Sequence, residues 1–556
     1  MKIKNLIYYI VGSVALLTVS CDDYLDVNNN PNKPTTATLA SLLPGAQYEI
    51  ANSFATGDFL GTSLPSYVFH LSTREVDNFS ISSTYVTMGN TWLRVYTYGV
   101  KNIDAVIEMA EETDNSQYAG IGKLLKAYLY TNLVDLWGDV PYSEANVYKL
   151  FFPKLDKDKE IYNDLFVLID EAIADLENEE STNKFTPGKD DLFYGGDIDL
   201  WIKMGNTLKL KLLVNSRKAK SDITNWDSKL SSLLSENNFL EDGEDFEFKH
   251  TDKDNPDERN QAYVSEYLGG QSTYYISPWI YETMSGLTYN VKDNPFVNIK
   301  DIRVPYYWVN QCTADSIAQN MTDYRDGGFV SIFFASNSSY AGSDQRSSSS
   351  FIGIYPCGGK YDDGKGGKCD KGVGTGIAPE KLLQAYSVPF LKAELYLTGD
   401  ASGDARAMLD EGIRSSIEHV NTVSQAAKGT APVIEKKDIN EFVEKILTVY
   451  DKATTNDEKL RIVMTQKWIA NFFNPVEAYT DYRRTGYPTL ISKETREAIS
   501  PYKPDKEPTI GPETIPLKGI NNYPRALWYP DSEVSRNPNV TNEGRDLSSK
   551  IIFWDK

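Results

Sequence analysis

Apolar side chains recur at helical spacing across residues 121–137, and this stretch organises our interpretation of the chain. They define one broad face made of Ile121, Leu124, Leu125, Tyr128, Leu129, Leu133, Leu136 and Trp137. The opposite, polar side contains Lys123, Lys126, Thr131 and Asp135. Gly138 and Pro141 follow, as is typical where a helix ends. So wide an apolar face predicts a helix that is packed by neighbouring helices.

The same periodicity predicts further helices on both sides of this one. They span residues 39–55, 92–112, 160–176, 199–219, 380–397, 405–417 and 457–473. Trp92 falls at helical spacing with the apolar positions of its segment, so we assign it to the core. The pattern predicts an all-α fold with helical parts at 39–236 and 380–556. We expect Trp528 and Trp554 to hold the proline-rich tail, which begins at residue 487, against the body.

Helical periodicity disappears between residues 237 and 379, where Gly, Ser, Asn, Asp and Tyr dominate. Aromatic residues come there in bursts, which are Tyr274, Tyr275 and Trp279, then Tyr306, Tyr307 and Trp308, then Tyr340, Phe351 and Tyr355. A structureless loop of this length is implausible in a compact protein. We therefore predict an irregular, loop-rich subdomain inserted into the helical scaffold. Loops that are positioned by a rigid scaffold commonly carry function.

Residues 1–20 have the pattern of an export signal. Lys2 and Lys4 give a positive start, residues 6–19 are mostly apolar, and Cys21 follows the small residue Ser20. The apolar run is short for a membrane span. A cysteine at this point is similar to a lipoprotein box, in which the thiol is acylated; the alternative is a secreted protein with a chance cysteine. Residues 21–38, rich in Asn and Pro, predict a lipidated tether.

Composition narrows the classes of partner. The chain has 556 residues, a formal net charge of -21, and 36 Tyr, 22 Phe and 9 Trp. So acidic a surface argues against nucleic acid or anionic lipid as the main partner. With so many aromatic residues, some are expected at the surface, where tyrosine-rich patches commonly recognise a ligand.

Candidate catalytic groups are sparse. None of His70, His250 and His419 lies near a Gly-x-Ser-x-Gly turn or in a His-Glu-x-x-His motif. We therefore predict no catalytic residue, no cofactor and no metal, although the carboxylates are too numerous for the sequence to identify or dismiss a glycosidase pair. The glycine-rich stretch 362–370 lacks the alternating acids and the closing glutamate of an EF-hand, so we predict a flexible loop.

Two other groups of residues have structural interpretations. The first group, Glu477, Asp481, Arg483 and Arg484, has helical spacing and predicts a buried ion-pair network that fixes a helix end. The second is a pair of cysteines, Cys357 and Cys369, on either side of the glycine-rich stretch. In an exported protein we predict a disulfide between them, and a pairing that involves Cys312 is the alternative.

Several segments, taken in order, resemble those of a known family. They are GIGKLLKAYLYTNLVDLWGDVPYSEA, WIKMGNTLKLKLLVNSRK, LLQAYSVPFLKAELYLTGD, TQKWIANFFNPVEAYTDYRRTGYP and YPRALWYPDSE. Through them the chain resembles the SusD/RagB family of surface nutrient-binding lipoproteins. The resemblance implies a tetratricopeptide-like scaffold of about four helix pairs. Asp22 and Asp23 resemble the tag that sends such lipoproteins to the cell surface.

The resemblance also implies a function. It implies a non-enzymatic protein of the outer membrane that binds a nutrient oligosaccharide and serves as the lid of a SusC-like TonB-dependent transporter. One alternative is a peptide-binding member of the same family, since glycan and peptide grooves use similar Tyr and Trp surfaces. Others are a surface glycoside hydrolase and a helical scaffold without a small ligand.

We predict the ligand site on the aromatic bursts and on the loop that precedes the helix at residue 92. A sugar presents a weakly apolar C–H face ringed by hydroxyls, so a flat ring stacks on it while polar side chains bind the hydroxyls. The predicted residues are Arg74, Asp77, Asn78, Phe79 and Tyr85 in the loop, and Tyr274, Tyr275, Trp279, Tyr306 and Trp308 in the bursts. Gln271, Asn310 and Gln311 stand beside the bursts as polar partners.

Overall fold

The computed structural model describes residues 37–54, 59–73, 85–316, 322–334, 345–429, 431–489 and 523–556. Its longer helices are α1 Leu39–Ser53, α2 Phe59–Tyr67, α3 Tyr85–Arg94, α4 Lys101–Glu112, α5 Ser116–Trp137, α6 Asp158–Leu176, α7 Ile198–Ser216, α8 Trp226–Glu236, α9 Pro278–Ser285, α10 Ser387–Thr398, α11 Ala405–Ala426, α12 Lys436–Lys452, α13 Asn456–Ala470 and α14 Pro475–Thr485. Its strands are β1 Leu71–Thr73, β2 Phe246–Phe248, β3 Tyr274–Ile276, β4 Trp308–Val309, β5 Tyr324–Asp326, β6 Phe329–Ser331, β7 Phe351–Ile352 and β8 Glu380–Leu383. The predicted all-α class is confirmed, because the strands are short and helices dominate.

Helix α5 lies at the centre of the scaffold. It contacts α4, α6, α7 and α14, and Gly138, with φ of 79°, ends it as predicted. At Gly120 the neighbouring helix comes so close that a Cβ would lie 2.7 Å from the Ala172 carbonyl oxygen. Thr131 and Asp135, on the polar side opposite the apolar face, are both fully buried. Most of the helix is therefore enclosed, and Lys123 and Lys126 remain partly exposed.

The other predicted helices are mostly present with shifted ends, and one was wrong in part. We predicted a helix over residues 380–397, but its first turn is strand β8, and α10 begins only at Ser387. The strand forms because β2 pairs with it and satisfies its backbone hydrogen bonds. Helix α12, which we did not single out, has buried apolar residues at helical spacing. Trp92 is in the core, as predicted.

Two groups of helices form one scaffold. Each of α4, α5 and α6 packs on the helix that follows it, and α10, α11, α12 and α13 form a second set of neighbours. Helix α7 contacts α10, so the first set joins the second directly although residues 237–379 separate them in sequence. The loop-rich segment is therefore an excursion from a continuous helical body.

Strands in the described part of this insert take part in short antiparallel pairs. They are β1 with β3, β2 with β8, β4 with β7, and β5 with β6. The pair β2–β8 matches Phe246 with Leu383 and Phe248 with Glu380, so the chain enters and leaves the insert side by side. We call this crossing the neck. The pair β1–β3 ties the insert to the segment that follows α2.

The carboxyl-terminal segment is fixed to the centre of the scaffold. The Trp554 indole N–H donates to Asp135 Oδ1 at 3.0 Å, and the Trp137 indole N–H donates to the Trp528 carbonyl oxygen at 2.9 Å. The predicted anchoring of the tail by these two residues is confirmed. A buried carboxylate thus serves as an acceptor for a residue at the far end of the chain, which explains its position inside the helical body.

The charged side chains of α14 form the predicted buried network. Its members are Glu477, Asp481 and Arg484, together with Lys211, Arg217, Glu394 and Lys467 from neighbouring elements. Arg483, which we also expected in the ion pairs, instead donates to the Asp135 and Arg525 carbonyl oxygens. Arg484 donates to both oxygens of Glu394, at 2.6 and 3.0 Å, and to Asp481 at 2.7 Å. Burial would raise the pKa of Glu394, but Arg484 and Arg217 hold it well below its usual range. The network joins α14 to α7, α10 and α13, so these residues stabilise the fold.

Candidate functional site

The aromatic bursts that we predicted as a ligand platform lie in the core. The side chains of Tyr274, Tyr275, Trp279, Tyr306 and Trp308 are at most 3% exposed. A ring buried to this extent presents no face on which a sugar could stack, so these positions correct the prediction of a surface platform. The rings fill the interior of an insert whose strands are too short to form a core of their own.

The contacts of these rings explain their burial. Trp279 packs on Phe69 at 4.4 Å between centroids, and on Phe333 at 5.4 Å. The Tyr306 hydroxyl donates to the Pro432 carbonyl oxygen at 2.7 Å, which ties the insert to the segment before α12. The polar end of Tyr306 therefore finds a partner inside the protein, and the Trp279 ring packs against other rings. These are the contacts of structural aromatic residues.

The structure does not test the ligand residues that we predicted in the loop. Arg74, Asp77, Asn78 and Phe79 lie outside the described residues. Tyr85 begins α3, but its side chain is not among those described. The bounds of this loop are well defined, because Thr73, the last residue before it, pairs with Tyr274 across β1 and β3. The predicted ligand residues therefore start next to the buried aromatic layer.

The residues that border a second segment outside the described structure, 335–344, contact strand β3. Gln345, the first residue after it, donates its backbone N–H to the Tyr275 hydroxyl at 3.1 Å. The Ser331 hydroxyl, a few residues before this segment, donates to the Ile276 carbonyl oxygen at 2.6 Å. Strand β3 therefore contacts both Thr73, which precedes residues 74–84, and the chain that borders residues 335–344. We call this region the β1–β3 face.

A small polar groove lies on the insert. Its volume is about 280 Å³, and it is lined by Gln311, Arg346, Ser347, Lys368, Cys369 and Asp370. The Gln311 amide donates to the Arg346 and Ser349 carbonyl oxygens at 2.7 and 2.8 Å and accepts from the Cys369 N–H at 2.8 Å. We expected Gln311 to bind sugar hydroxyls, but its side chain forms its hydrogen bonds with backbone groups instead. Among the described residues of the insert, the exposed aromatic is Tyr289, 40% exposed, which the search for bursts missed.

The predicted disulfide is absent from the described structure. Cys357 and Cys369 are both buried free thiols, and Cys312 is a third free thiol. The Cys357 thiol donates to the Gly353 carbonyl oxygen at 3.3 Å, and the Cys369 backbone N–H donates to the Gln311 side-chain oxygen at 2.8 Å. Burial raises the pKa of both thiols, to about 12 for Cys369.

An exposed apolar loop lies between α5 and α6. Tyr148 is 86% exposed and Phe151 80%, and Val147, Leu150 and Phe152 are exposed as well. The backbone of the loop is held in place, because Asn539 donates to the Phe152 carbonyl oxygen at 2.7 Å and Asn537 to that of Pro153 at 2.9 Å. We call residues 147–152 the aromatic loop. Contiguous apolar surface of this kind commonly marks an interaction site.

Asp245, Glu247 and His419 form the one described group whose ligand atoms could share a metal, since these atoms lie within 4.8 Å of one another. His70 and His250 instead meet the backbone carbonyls of Trp468 and Glu258, at 2.9 and 3.0 Å. We expected all three histidines to be ordinary, and His419 differs from the others by these two carboxylates. The sequence signal is the alternation Asp-Phe-Glu-Phe at residues 245–248, which places acids on one side of a strand.

The fold defines a class of protein, a helical scaffold that carries a loop-rich insert, and comparison with known proteins identifies the family. Residues 31–504 match the family model SusD-like 2, described as "Starch-binding associating with outer membrane". The chain belongs to this SusD-like family. No curated protein matches it.

Solved structures of this fold are similar over nearly the whole chain. A chitin-binding protein is 21% identical, with a TM-score of 0.66, and the match covers 93% of this chain and 100% of the other. A SusD/RagB family protein from Bacteroides thetaiotaomicron is 18% identical, with a TM-score of 0.66 and coverages of 94% and 99%. A chitin-binding SusD homologue from Flavobacterium johnsoniae is 18% identical, with a TM-score of 0.62 and coverages of 92% and 98%.

Proposed function

We propose that this protein is a surface lipoprotein that binds a nutrient oligosaccharide and delivers it, as a lid, to a SusC-like TonB-dependent transporter. The observation that carries the proposal is the family match over residues 31–504, whose description names starch binding and the outer membrane. Structural neighbours described as chitin-binding support a glycan as the class of ligand. The acidic surface and the absence of any catalytic motif in the sequence agree with a binding protein.

The anchor in this proposal is the lipid on Cys21. Its basis is the order Leu-Thr-Val-Ser-Cys behind a short apolar run. No helix among the described residues is long and apolar enough to cross a bilayer. We expect Cys21→Ala to leave the outer-membrane fraction and to accumulate in the soluble or secreted fraction. Retention of this variant in the outer membrane would contradict the anchor.

The ligand would bind at the β1–β3 face. Arg74, Asp77, Asn78, Phe79 and Tyr85 remain the proposed contacts, because they begin one residue beyond the Thr73–Tyr274 pair. The buried aromatic layer fixes Thr73, the residue that precedes these contacts, through its pairing with Tyr274, and a preorganised site lowers the entropic cost of binding. In this arrangement the loop residues touch the sugar. The aromatic bursts affect its affinity only indirectly, because they stabilise the fold of the insert.

A pair of substitutions separates these two roles. A glycan array that includes starch and chitin oligosaccharides, with peptides as competitors, identifies the ligand, and calorimetry then measures its affinity. We expect Phe79→Ala to weaken binding by about 1–3 kcal/mol without a change in melting temperature, as for a ring that anchors a ligand. Trp308→Ala should instead lower the melting temperature, because its ring is buried, and any loss of affinity should accompany that loss of stability.

The outcomes of this experiment are distinct. Unchanged affinity in Phe79→Ala would remove the loop from the site. Selective binding of peptides would replace the oligosaccharide with the peptide-binding alternative, and release of shorter sugars during incubation would favour the hydrolase. Tyr289→Ala is a matched aromatic control in the insert, exposed but outside the proposed contacts.

We place the contact with the transporter at the aromatic loop. Tyr148 and Phe151 are exposed on a backbone that the carboxyl-terminal segment holds in place, which is how an ordered interface residue is presented. Tyr148→Ser combined with Phe151→Ser should reduce co-purification of the transporter after gentle detergent extraction, with glycan affinity unchanged. If the double variant recovers as much transporter as the original protein, this surface is excluded. If neither the variant nor the original protein recovers the transporter, the result counts against the role as a lid.

A further inference from the structure

We infer that Asp245, Glu247, Gln384 and His419 form a binding site for one divalent transition-metal ion at the neck of the insert. The ligand atoms of the two acids and the histidine already lie within 4.8 Å of one another. The site goes beyond the proposed glycan-binding function and does not depend on it. Three elements supply it: the strand β2 and the residue before it, the turn after β8, and helix α11.

The local sequence turns both carboxylates toward the same point. Asp245 and Glu247 stand on either side of Phe246, which is fully buried and packs on Trp201 at 5.8 Å between centroids. Alternate residues of an extended strand point to opposite sides, so burial of the ring directs the acids the other way. Asp245 is fixed further, because its Oδ1 accepts the Ala385 N–H at 2.8 Å.

Gln384 supplies an independent observation that points to an ion. The residue is completely buried, and its Nε2 lies 3.2 Å from both His419 Nε2 and Glu247 Oε2. Its Oε1 is buried without a hydrogen-bond partner. A buried amide oxygen of this kind is costly unless something binds it. A half-turn of the amide, which exchanges two atoms of nearly equal size, directs this oxygen into the cluster.

Protein hydrogen bonds alone do not satisfy the cluster. His419 Nε2 lies 2.9 Å from Glu247 Oε2 and 3.2 Å from the Gln384 amide nitrogen. If the imidazole Nε2 carries a proton, it donates to Glu247, and the amide N–H group then faces another donor. If it carries none, the amide donates to both Nε2 and Glu247, and Gln384 Oε1 is still left without a partner. A cation between these atoms accepts the lone pairs of the imidazole, the carboxylates and the turned amide together.

The set of donors selects the class of metal. One imidazole nitrogen with two carboxylates and an amide oxygen suits a borderline ion such as Zn²⁺, whereas Ca²⁺ and Mg²⁺ prefer oxygen ligands throughout. The other ring nitrogen, His419 Nδ1, lies 3.3 Å from the Tyr355 hydroxyl, which would fix the ring as a partner behind a ligand does. The buried Lys381 amine, 2.9 Å from the same hydroxyl, adds positive charge nearby and limits the affinity.

The position of the site indicates its role. Asp245 and Glu247 stand where the chain enters the insert, Gln384 stands where it leaves, and His419 belongs to the helical scaffold. An ion at this point would fasten both strands of the neck to α11. Because the unfolded chain does not bring these groups together, the ion binds the folded state and raises its stability.

The test uses the full-length protein after removal of metals with EDTA, and zinc chloride alone as the probe. Titration calorimetry should show one Zn²⁺ per chain, and Zn²⁺ should raise the melting temperature until EDTA reverses the effect. Co²⁺ in place of Zn²⁺ should give visible absorption bands of an ordered site. We expect Glu247→Gln and His419→Gln each to weaken binding by more than about 10-fold. His250→Gln, a histidine bound to a backbone carbonyl, should bind as the original protein does.

The result that overturns the inference is equally definite. Absence of saturable binding in the original protein, or equal binding by Glu247→Gln and His419→Gln, would mean an adventitious ion only. If either variant fails to fold, Asp245→Asn and Gln384→Leu carry the test. Weaker Zn²⁺ binding in both of these variants supports the site, and unchanged binding in both overturns it. No glycan is present, so failure here leaves the proposed function untouched.

Discussion

Replacement of Arg484 by methionine should destabilise the protein by about 3 kcal/mol, because it breaks a buried charge network. Arg484 is buried and donates to both oxygens of Glu394, at 2.6 and 3.0 Å, and to Asp481 at 2.7 Å. Methionine keeps an unbranched apolar stem but removes every donor. Removal of one partner of a buried ion pair costs about 3–5 kcal/mol. We expect the lower end, because Arg217 still binds Glu394 at 2.7 Å and Lys467 still binds Asp481 at 2.8 Å.

The assay is urea denaturation, since urea carries no charge that would screen the network. The free energy of unfolding is compared between variants at equal slope against denaturant. Arg406→Met is the matched control, because Arg406 also binds a carboxylate through two nitrogens, at 2.8 and 3.0 Å from Asp451. Those side chains are 42% and 50% exposed, so we expect a loss below about 1 kcal/mol. Equal losses in the two variants would refute the argument from burial.

Two further predictions follow from buried titratable groups. Burial lowers the pKa of His70 to about 3, so the unfolded chain binds more protons than the folded protein below about pH 6.5, and stability falls as the pH decreases. When the pH falls from 6.5 to 4.5, the free energy of unfolding of His70→Gln should therefore decrease by about 2 kcal/mol less than that of the original protein. Parallel pH profiles of the two proteins would contradict this. Cys357 and Cys369 should react with a thiol reagent only after denaturation, because both are buried and their pKa values are raised. Peptide mapping without reductant should recover both as free thiols, and a disulfide-linked peptide would restore the pairing expected from the sequence.

The helical scaffold was predictable because its signal is local. An apolar face recurs every three to four residues, and a glycine at position 138 ends the central helix in the sequence as in the structure. What periodicity does not carry is the identity of distant partners. Asp135 lies on the polar side of the helical pattern, yet it is buried and accepts a hydrogen bond from Trp554. Residues 380–383 fit a helix until β2 pairs with them.

The candidate site was harder to predict because two kinds of structure share one sequence pattern. A sugar platform places aromatic rings next to amides, and so does the core of a loop-rich insert. Here Trp308 is buried, while the neighbouring Asn310 and Gln311 bind protein groups: Asn310 Oδ1 accepts the Ser350 hydroxyl at 2.7 Å, and Gln311 binds backbone. Strands of two to four residues cannot bury enough aliphatic surface, so large rings fill the space and amides satisfy irregular backbone. Bursts of aromatic residues in an insert of this kind are therefore evidence for its core.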